Sequence, residues 1–376
     1  MVFKMKLRLV CPCHFGLESV LKFEMNKIGG EDITVKDGRV EFTGDLSVLV
    51  RANICLLSAE RVLVKLGEFK AETFEELFQG VKALPLEDFI GKADRFPVKG
   101  HSLGSTLKSV PDCQSIIKKA AVERLKQRYG ISWFEETGAL YQLQFGIMNN
   151  IASIYIDSTG EGLHKRGYRK NSVTAPIKET LAAGMVDLAR IRENSIVCDP
   201  FCGSGTFLIE AAYKAMNIAP GLNRRFESEN WGVAGLALWK EERERARAAI
   251  KKETDFFAYG YDNDPEAVAL TAANCKKAGV SDRVSVKTAD IKSYKAPPEA
   301  ITICNPPYGE RMLEIKEAEA LYSALGKSFS AKSFREAPYY VITPHEEFES
   351  FFGYKPDKKR KLYNGMIKCQ LYMYFK

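Results

Sequence analysis

Hydrophobic and polar positions follow two regimes along this chain, and the change between them divides it. Up to about residue 155, short apolar runs and amphipathic stretches follow one another in no fixed order. Residues 7–12 read as a strand, 16–30 as a helix, and two further strands meet at Asp37-Gly38, a hairpin signal. Asp45 caps a helix over 45–60, residues 61–70 form a strand, and Thr73 with Glu76 makes the capping box of a helix over 73–84. A long helix opens at Pro111 and closes at Gly130, after which 141–145 and 150–158 alternate as strands. The mixture predicts an α+β region.

Beyond residue 156 the order becomes regular. A polar, basic, Gly-rich connector over 160–171 leads into a helix over 175–190, a strand over 195–200 and a helix over 205–216. A strand (256–264), helix (265–280), two strands (283–290 and 300–307), helix (319–330) and strand (337–344) follow. Such alternation predicts an α/β fold, a doubly wound, mostly parallel sheet with helices on both faces. Asn364-Gly365, between the β-rich runs of 361–375, predicts a closing antiparallel hairpin. Ligands of such sheets sit beyond the carboxyl ends of the strands, so chemistry is sought there.

Composition narrows the class. With 45% hydrophobic and 27% charged residues over 376 positions, a disordered or fibrous chain is excluded. No apolar run reaches the roughly 18 residues of a membrane span. The opening MVFKMKLRLV carries neither the apolar run nor the cleavage site of a signal peptide. Nine scattered cysteines do not form a disulfide framework, so a reduced, cytoplasmic protein is expected. Net charge is +7, and its placement matters more than its size. Residues 92–128 hold nine Lys+Arg against three acids, and 355–376 hold seven against one. Clustered lysines suit a polyphosphate partner, or equally a solvated helix face and a charged tail. Lys118, Lys119, Lys126 and Arg128 all fall on the helix over 111–130. Cys11-Pro12-Cys13-His14 is half a metal motif, but His14, His101, His164 and His345 supply no second half, and no metal is expected.

Four strand ends carry candidate chemistry. Asp199-Pro-Phe-Cys-Gly-Ser-Gly-Thr runs from strand through loop into helix; Gly203 and Gly205 permit a tight turn, and the helix starting near Thr206 offers free N–H groups. Leu208 stands where a dinucleotide motif has its third glycine, and Asp199 would repel a pyrophosphate but suit a cationic or hydroxyl-bearing ligand. Asp262 ends the next strand, where a carboxylate accepts from ribose hydroxyls; Asp264, before Pro265, is the better helix cap. Asp290 suits the amino group of an adenine or, equally, another helix cap. Asn305-Pro306-Pro307-Tyr308-Gly309 follows the apolar strand AITIC. Two prolines stiffen that loop, and the Asn305 side-chain oxygen and Pro306 carbonyl are two acceptors that can hold both hydrogens of an exocyclic amine. Tyr308 offers a ring for an unstacked base.

These loops resemble those of class I S-adenosylmethionine-dependent methyltransferases acting on amino nitrogens of bases. The wider pattern of CHFGLES (13–19), GLHKRGYR (162–169), DPFCGSGTFLIEAA (199–212) and KLYNGMIKCQL (361–371) resembles the bacterial THUMP-domain 23S rRNA guanine-N2 methyltransferases. The resemblance implies a ferredoxin-like subdomain over 1–65, a THUMP-like RNA-binding domain over 66–155 and a Rossmann-like methyltransferase domain over 156–376. It implies S-adenosylmethionine as cofactor. Asp199, Gly203, Ser204, Gly205 and Thr206 would hold its methionine end, Asp262 and Asn263 the ribose, Asp290 and Ile291 the adenine. Asn305, which also borders the cofactor, and the Pro306 carbonyl would hold the guanine amine, with Tyr308 stacking on the ring. Arg166, Arg169, Lys118 and Lys119 would contact the RNA: large-subunit rRNA, an assembling large subunit, or tRNA. Some members of the family carry a second methyltransferase domain; with one, a single modification is expected. No protein partner is implied.

Other residues have plainer readings. Cys202 lacks the Pro-Cys setting of a carbon-5 methyltransferase nucleophile and is assigned to packing, as are Trp231 and Trp239. Arg166 and Arg169 are either phosphate contacts or helix-end partners. An adenine-N6 methyltransferase and a non-catalytic ribosome-assembly factor remain open beside the lead reading.

Overall fold

Two seven-stranded sheets organise the chain in the computed structural model, which describes residues 6–169, 176–233, 235–292, 297–308, 312–328 and 337–375. The expectations placed on Gly309, on residues 170–171, on Ala175, on residues 329–330 and on the extreme termini lie outside the described residues.

The first sheet has the order β2-β3-β1-β4-β7-β6-β5. Its strands are β1 (Leu7–Pro12), β2 (Glu31–Lys36), β3 (Arg39–Gly44), β4 (Leu63–Lys70), β5 (Val98–Leu103), β6 (Leu143–Met148) and β7 (Ile151–Asp157). Strand β3 buries every second residue, the signature of a half-covered strand, and Asp37-Gly38 makes the expected turn with Gly38 at φ 68°. Helices α1 (Glu18–Lys27), α2 (Leu46–Cys55), α3 (Phe74–Lys82) and α4 (Val110–Tyr129) pack on it. The caps fall where the sequence places them: Asp45 accepts from the Val48 N–H, Thr73 and Glu76 close their box, and Gly130 ends α4 in the left-handed region. Strand β5 escapes a sequence reading because it alternates half-buried and exposed positions; it pairs in parallel with β6. The expected boundary at 65/66 falls inside β4, which pairs with β1 on one side and β7 on the other, so the two N-terminal units share one sheet. The boundary at 155/156 falls inside β7.

The second sheet has the order β10-β9-β8-β11-β12-β14-β13. Strands β8 (Ile196–Asp199), β9 (Phe257–Asp262), β10 (Val284–Thr288), β11 (Ile301–Cys304) and β12 (Tyr339–Thr343) are parallel, and β13 (Lys358–Asn364) and β14 (Ile367–Tyr374) complete the sheet antiparallel, as expected. Helices α5 (Glu179–Leu188), α6 (Thr206–Met216), α8 (Pro265–Ala278) and α9 (Met312–Lys327) follow the predicted alternation, α9 beginning seven residues earlier than expected. Two helices were not expected. Helix α7 (Leu236–Ala248) is mostly charged and buries only Trp239, Glu242 and Ala246, a stripe too narrow to register as a period, and α10 (Phe348–Phe352) is a single turn.

The stretch between α6 and β9 belongs to the second sheet by sequence but packs into the core of the first. Leu222, Phe226, Trp231 and Trp239 are buried there with Leu49 and Leu143. Trp231 stacks on Tyr141 at 4.8 Å and donates to the Leu140 carbonyl, while Trp239 stacks on Phe226 at 5.2 Å. Burying each indole contributes about 4–6 kcal/mol before entropy is counted. Arg51 clamps Glu242 of α7 through two hydrogen bonds of 2.8 and 3.1 Å. A second seam runs through Glu60, which meets His14 and Lys178 at 3.2 Å and accepts from Thr180 at the start of α5. These seams join the first sheet to the elements that flank the second.

Candidate active site

The parallel strands deliver four loops to one edge. Strand β8 ends at Asp199, which is 1% exposed and takes the Phe201 N–H at 3.0 Å. Gly203 and Gly205 then turn the chain at φ 52° and 80°, and a Cβ on Gly205 would lie 2.7 Å from the Thr271 methyl. Both glycines are therefore required by geometry. Helix α8 holds the loop from behind: Thr271 donates to the Gly203 carbonyl at 2.8 Å and Asn274 to the Ser204 carbonyl at 2.9 Å. The Cys202, Gly203 and Gly205 N–H groups are themselves held, by the Tyr261 carbonyl, Asp262 and the Cys202 carbonyl, so what the turn offers a ligand is the start of α6. Thr271 and Asn274 were not singled out in the sequence; the signal was a pair of polar residues on the otherwise apolar stripe of α8 that buries Ala267, Cys275 and Ala278.

Strand β9 ends at Asp262, whose two oxygens accept from the Gly203 N–H (2.9 Å) and the Asp264 N–H (3.1 Å). Asp264 caps α8 through the Glu266 N–H, as its place before Pro265 predicts, and Asn263 beside it is exposed. Beyond β10, Asp290 is exposed and takes the Lys292 N–H at 2.8 Å, while Ile291 is buried against Cys198 and Cys304. Asp199, Gly203, Ser204, Gly205, Thr206 and Asp262 thus lie on two adjoining strand ends, tied together by the Gly203–Asp262 hydrogen bond, with Asn263, Asp290 and Ile291 on the loops after β9 and β10.

Strand β11 delivers Asn305-Pro306-Pro307-Tyr308. The Pro307 carbonyl accepts from the Tyr322 hydroxyl at 3.0 Å, and Tyr322 also meets Thr343 at the end of β12, so the loop is braced from α9. Pro306 is buried. The Asn305 side-chain oxygen is enclosed and has no hydrogen-bond partner among the described residues. A buried acceptor left unmade costs about 1–3 kcal/mol, a deficit that an N–H-bearing ligand would remove. Tyr308 is half-buried; burial raises its phenol above the usual value, against hydrogen bonding from Asn364 and Asn305. Asn364, at the end of β13, donates to the Tyr308 hydroxyl at 3.3 Å.

The electrostatics favour a cation. Burial, reinforced by the neighbouring Asp262, pushes the Asp199 carboxyl well above the usual carboxylate range. Among the described residues no Lys or Arg pairs with it. Two carboxylates and a helix N-terminus on one edge suit a ligand with a positive group and hydroxyls, which the S-adenosylmethionine skeleton supplies. Cys202 is buried, its thiol pushed up by desolvation and touched by the Thr271 hydroxyl, in keeping with a packing role.

The basic candidates require correction. Arg166 is enclosed: it pairs with Glu210 of α6 at 3.4 Å and donates to the Leu163 carbonyl at 2.7 Å and to that of Leu57. A guanidinium committed to a buried carboxylate and two carbonyls is not open to a phosphate. Arg169 bonds Glu179 at 2.9 Å, the Ile177 carbonyl at 3.1 Å and the Thr206 hydroxyl at 3.3 Å, tying the connector to α5 and to the loop helix. Burial lifts Glu179 to about 7 against that pairing. Arg169 is a helix-end partner at the start of α5, whereas Arg166 is the buried partner of a carboxylate in the middle of α6. Lys118 is spent on Glu136 at 2.6 Å and on the face of Phe96, whereas Lys119 is exposed. Both lie on α4, which packs on α3 and β5 of the first sheet.

Family models match most of the chain. Residues 8–63 match the model of an RlmL ferredoxin-like domain, 71–157 that of a THUMP domain and 166–373 that of an RMKL-like methyltransferase domain. The chain is 42% identical over 373 residues to the putative RNA methyltransferase YpsC of Bacillus subtilis (strain 168), covering 98% of this chain and 96% of that one. It is 32% identical to the ribosomal RNA large subunit methyltransferase K/L of Shewanella baltica (strain OS195), matching 96% of itself but spanning only 52% of that relative. Among solved structures, SMU.472, a putative methyltransferase complexed with SAH, superposes with a TM-score of 0.92 at 37% identity, over 98% of both chains.

Proposed function

This chain belongs to the THUMP-domain, RMKL-like methyltransferase family, and we propose that it methylates the exocyclic N2 amine of a guanine in large-subunit ribosomal RNA. Its cofactor is S-adenosylmethionine. The observation that carries the amine reading is the enclosed Asn305 oxygen, without a hydrogen-bond partner among the described residues, in a loop stiffened by Pro306 and Pro307. A rigid acceptor with a polar vacancy accepts an N–H, and the Pro306 carbonyl is the second acceptor an exocyclic amine needs. Asp199 with the Gly203–Gly205 turn would hold the cofactor's amino-acid end, Asp262 its ribose and Asp290 its adenine. Bound there, S-adenosylmethionine supplies an electrophilic methyl group on sulfur.

What the chain itself contributes is orientation. Asn305 and Pro306 fix the two amine hydrogens, so the nitrogen lone pair is directed away from the loop and toward the cofactor side. No strong base is called for, because the amine proton is released after the nitrogen has bonded. Holding nitrogen and electrophile in line converts an encounter into a unimolecular step, which can account for about 7–11 kcal/mol of barrier lowering. The ribosomal choice over other RNAs follows the K/L relatives, of which this chain spans about half. The test is incubation of unmodified large-subunit rRNA and of tRNA with labelled cofactor, followed by nucleoside mass spectrometry. N2-methylguanosine from rRNA supports the proposal. The same product from tRNA alone moves the substrate, and N6-methyladenosine as sole product overturns the amine assignment.

A further inference from the structure

Among the described residues, Met366 is the most exposed large apolar side chain, at 97%. It stands at the tip of the β13–β14 hairpin, where Gly365 at φ 63° and Met366 form the two-residue turn and Asn364 pairs with Ile367. The sequence suggests Asn364-Gly365 as that turn; in the structure the loop is one residue later, which puts methionine rather than asparagine at the apex. Nothing in the fold calls for an apolar group there, since a polar residue would be better solvated at the same φ and ψ. The last ladder pair of the hairpin with the parallel strands is Thr343 opposite Gln370, three residues beyond Ile367 along β14. The tip therefore projects about 10 Å beyond the end of β12, on the same edge as the Asn305 loop.

Two further observations place nucleic acid at this tip. Asn364, within the hairpin end, is the residue that holds the Tyr308 hydroxyl, so tip and base-facing loop are one connected surface. The strands behind it are basic: Lys358, Lys361 and Lys368 are exposed, and Lys358 and Lys368 have no acidic partner among the described residues. A guanine amine within a stacked helix cannot reach an acceptor as enclosed as the Asn305 oxygen; the base must leave the stack, and the gap it leaves must be filled or it recloses. An unbranched thioether side chain fits between two base faces and needs no hydrogen-bond partner there.

We propose that Met366 is a wedge: it enters the base stack beside the target guanine and holds open the space that guanine vacates, while Lys361 and Lys368 rest on the flanking phosphates. The inference rests on the base-methylating reading above. It is tested with the full-length protein. The methylated guanine is first mapped in unmodified large-subunit rRNA; failure to methylate any guanine at that step refutes the underlying reading rather than the wedge. An RNA hairpin carrying that guanine in a paired stem, with 2-aminopurine as its neighbour, and a single strand of the same sequence then serve as probes. With SAH present, the wild-type protein should raise 2-aminopurine fluorescence on the stem, and Met366→Ala should not. Met366→Ala should lower kcat/KM on the stem about tenfold and leave the single strand within twofold. SAH affinity should be unchanged, which excludes misfolding as the cause. Equal fluorescence in both proteins, or equal losses on stem and single strand, overturns the wedge.

Discussion

Replacing Arg166 by methionine separates a structural cation from a phosphate contact. The side chain is 1% exposed, and Glu210 opposite is fully enclosed. Methionine fills much of the volume but leaves the Glu210 carboxylate, among the described residues, with the Tyr168 hydroxyl alone, 3.0 Å away, and strands the Leu57 and Leu163 carbonyls. Removing one partner of a buried pair costs about 3–5 kcal/mol. At roughly 2–4 °C per kcal/mol for a domain of this size, Tm should fall by about 6–20 °C. The pH dependence has a defined sign. Burial raises Glu210 above its ordinary range while Arg166 pulls it back, so the variant raises it further. An acid whose folded value is raised loses stability as pH climbs through its unfolded value, near 4.3, toward the folded one. The deficit against wild type should therefore be largest at pH 8 and narrow toward pH 5, and adding Glu210→Gln should recover part of it. Thermal unfolding across pH reads this, and RNA anisotropy across salt, below the variant's Tm, reads the alternative. An unchanged Tm with a salt slope shallower by about 0.7–0.9 would mean that Arg166 meets a phosphate after all, and would refute the burial argument.

The two arginines show where a sequence stops being informative. A run such as GLHKRGYR looks solvated because its charges are dense, but whether a charge faces water depends on what lies opposite, and Glu210 is 44 residues away. The centre of the second sheet was legible because β8, β11 and β12 are apolar runs bounded by proline, aspartate and asparagine, and because a parallel sheet puts its chemistry at strand ends by construction. Those same ends gave Asp199, Asp262, Asp290 and Asn305 directly. The braces behind them were not legible: Thr271, Asn274, Tyr322 and Asn364 reach the loops from helices and a hairpin whose register against the strands is a tertiary fact. Helix α7 was hidden for a related reason. Its charged faces serve Arg51, 191 residues away, and solvent, and Trp239 and Ala246 pack into a core built largely from residues 7–163.

Three other perturbations probe the site. Asn305→Ala should lower kcat by about 10²–10³, the loss expected when one aligned partner of the reacting group is removed, with RNA affinity within twofold; turnover near wild type would displace the amine from this loop. Asn364→Ala should lower kcat severalfold through a loosened Tyr308, and in Tyr308→Phe, which has no hydroxyl to hold, the same change should add almost nothing; additive losses in the double variant would separate the two residues. Asp199→Asn sets stability against cofactor binding. In wild type, burial and Asp262 raise the Asp199 carboxyl, so the folded state resists the ionisation that the unfolded chain undergoes freely above pH about 4. That penalty grows as pH rises toward the folded value. The asparagine oxygen still accepts from the Phe201 N–H, and the variant never ionises, so its Tm should exceed wild type at pH 8 and converge with it near pH 4. SAH affinity should move the other way, falling at least tenfold, because a neutral amide offers less to an ammonium group than a carboxylate does. Calorimetry in buffers of different ionisation enthalpy isolates the cause: wild type should release a proton on binding SAH and the variant should not. A binding heat that is buffer-independent in wild type, with affinity retained in the variant, would show that Asp199 does not meet the cation and that the cofactor's amino group lies elsewhere on this edge.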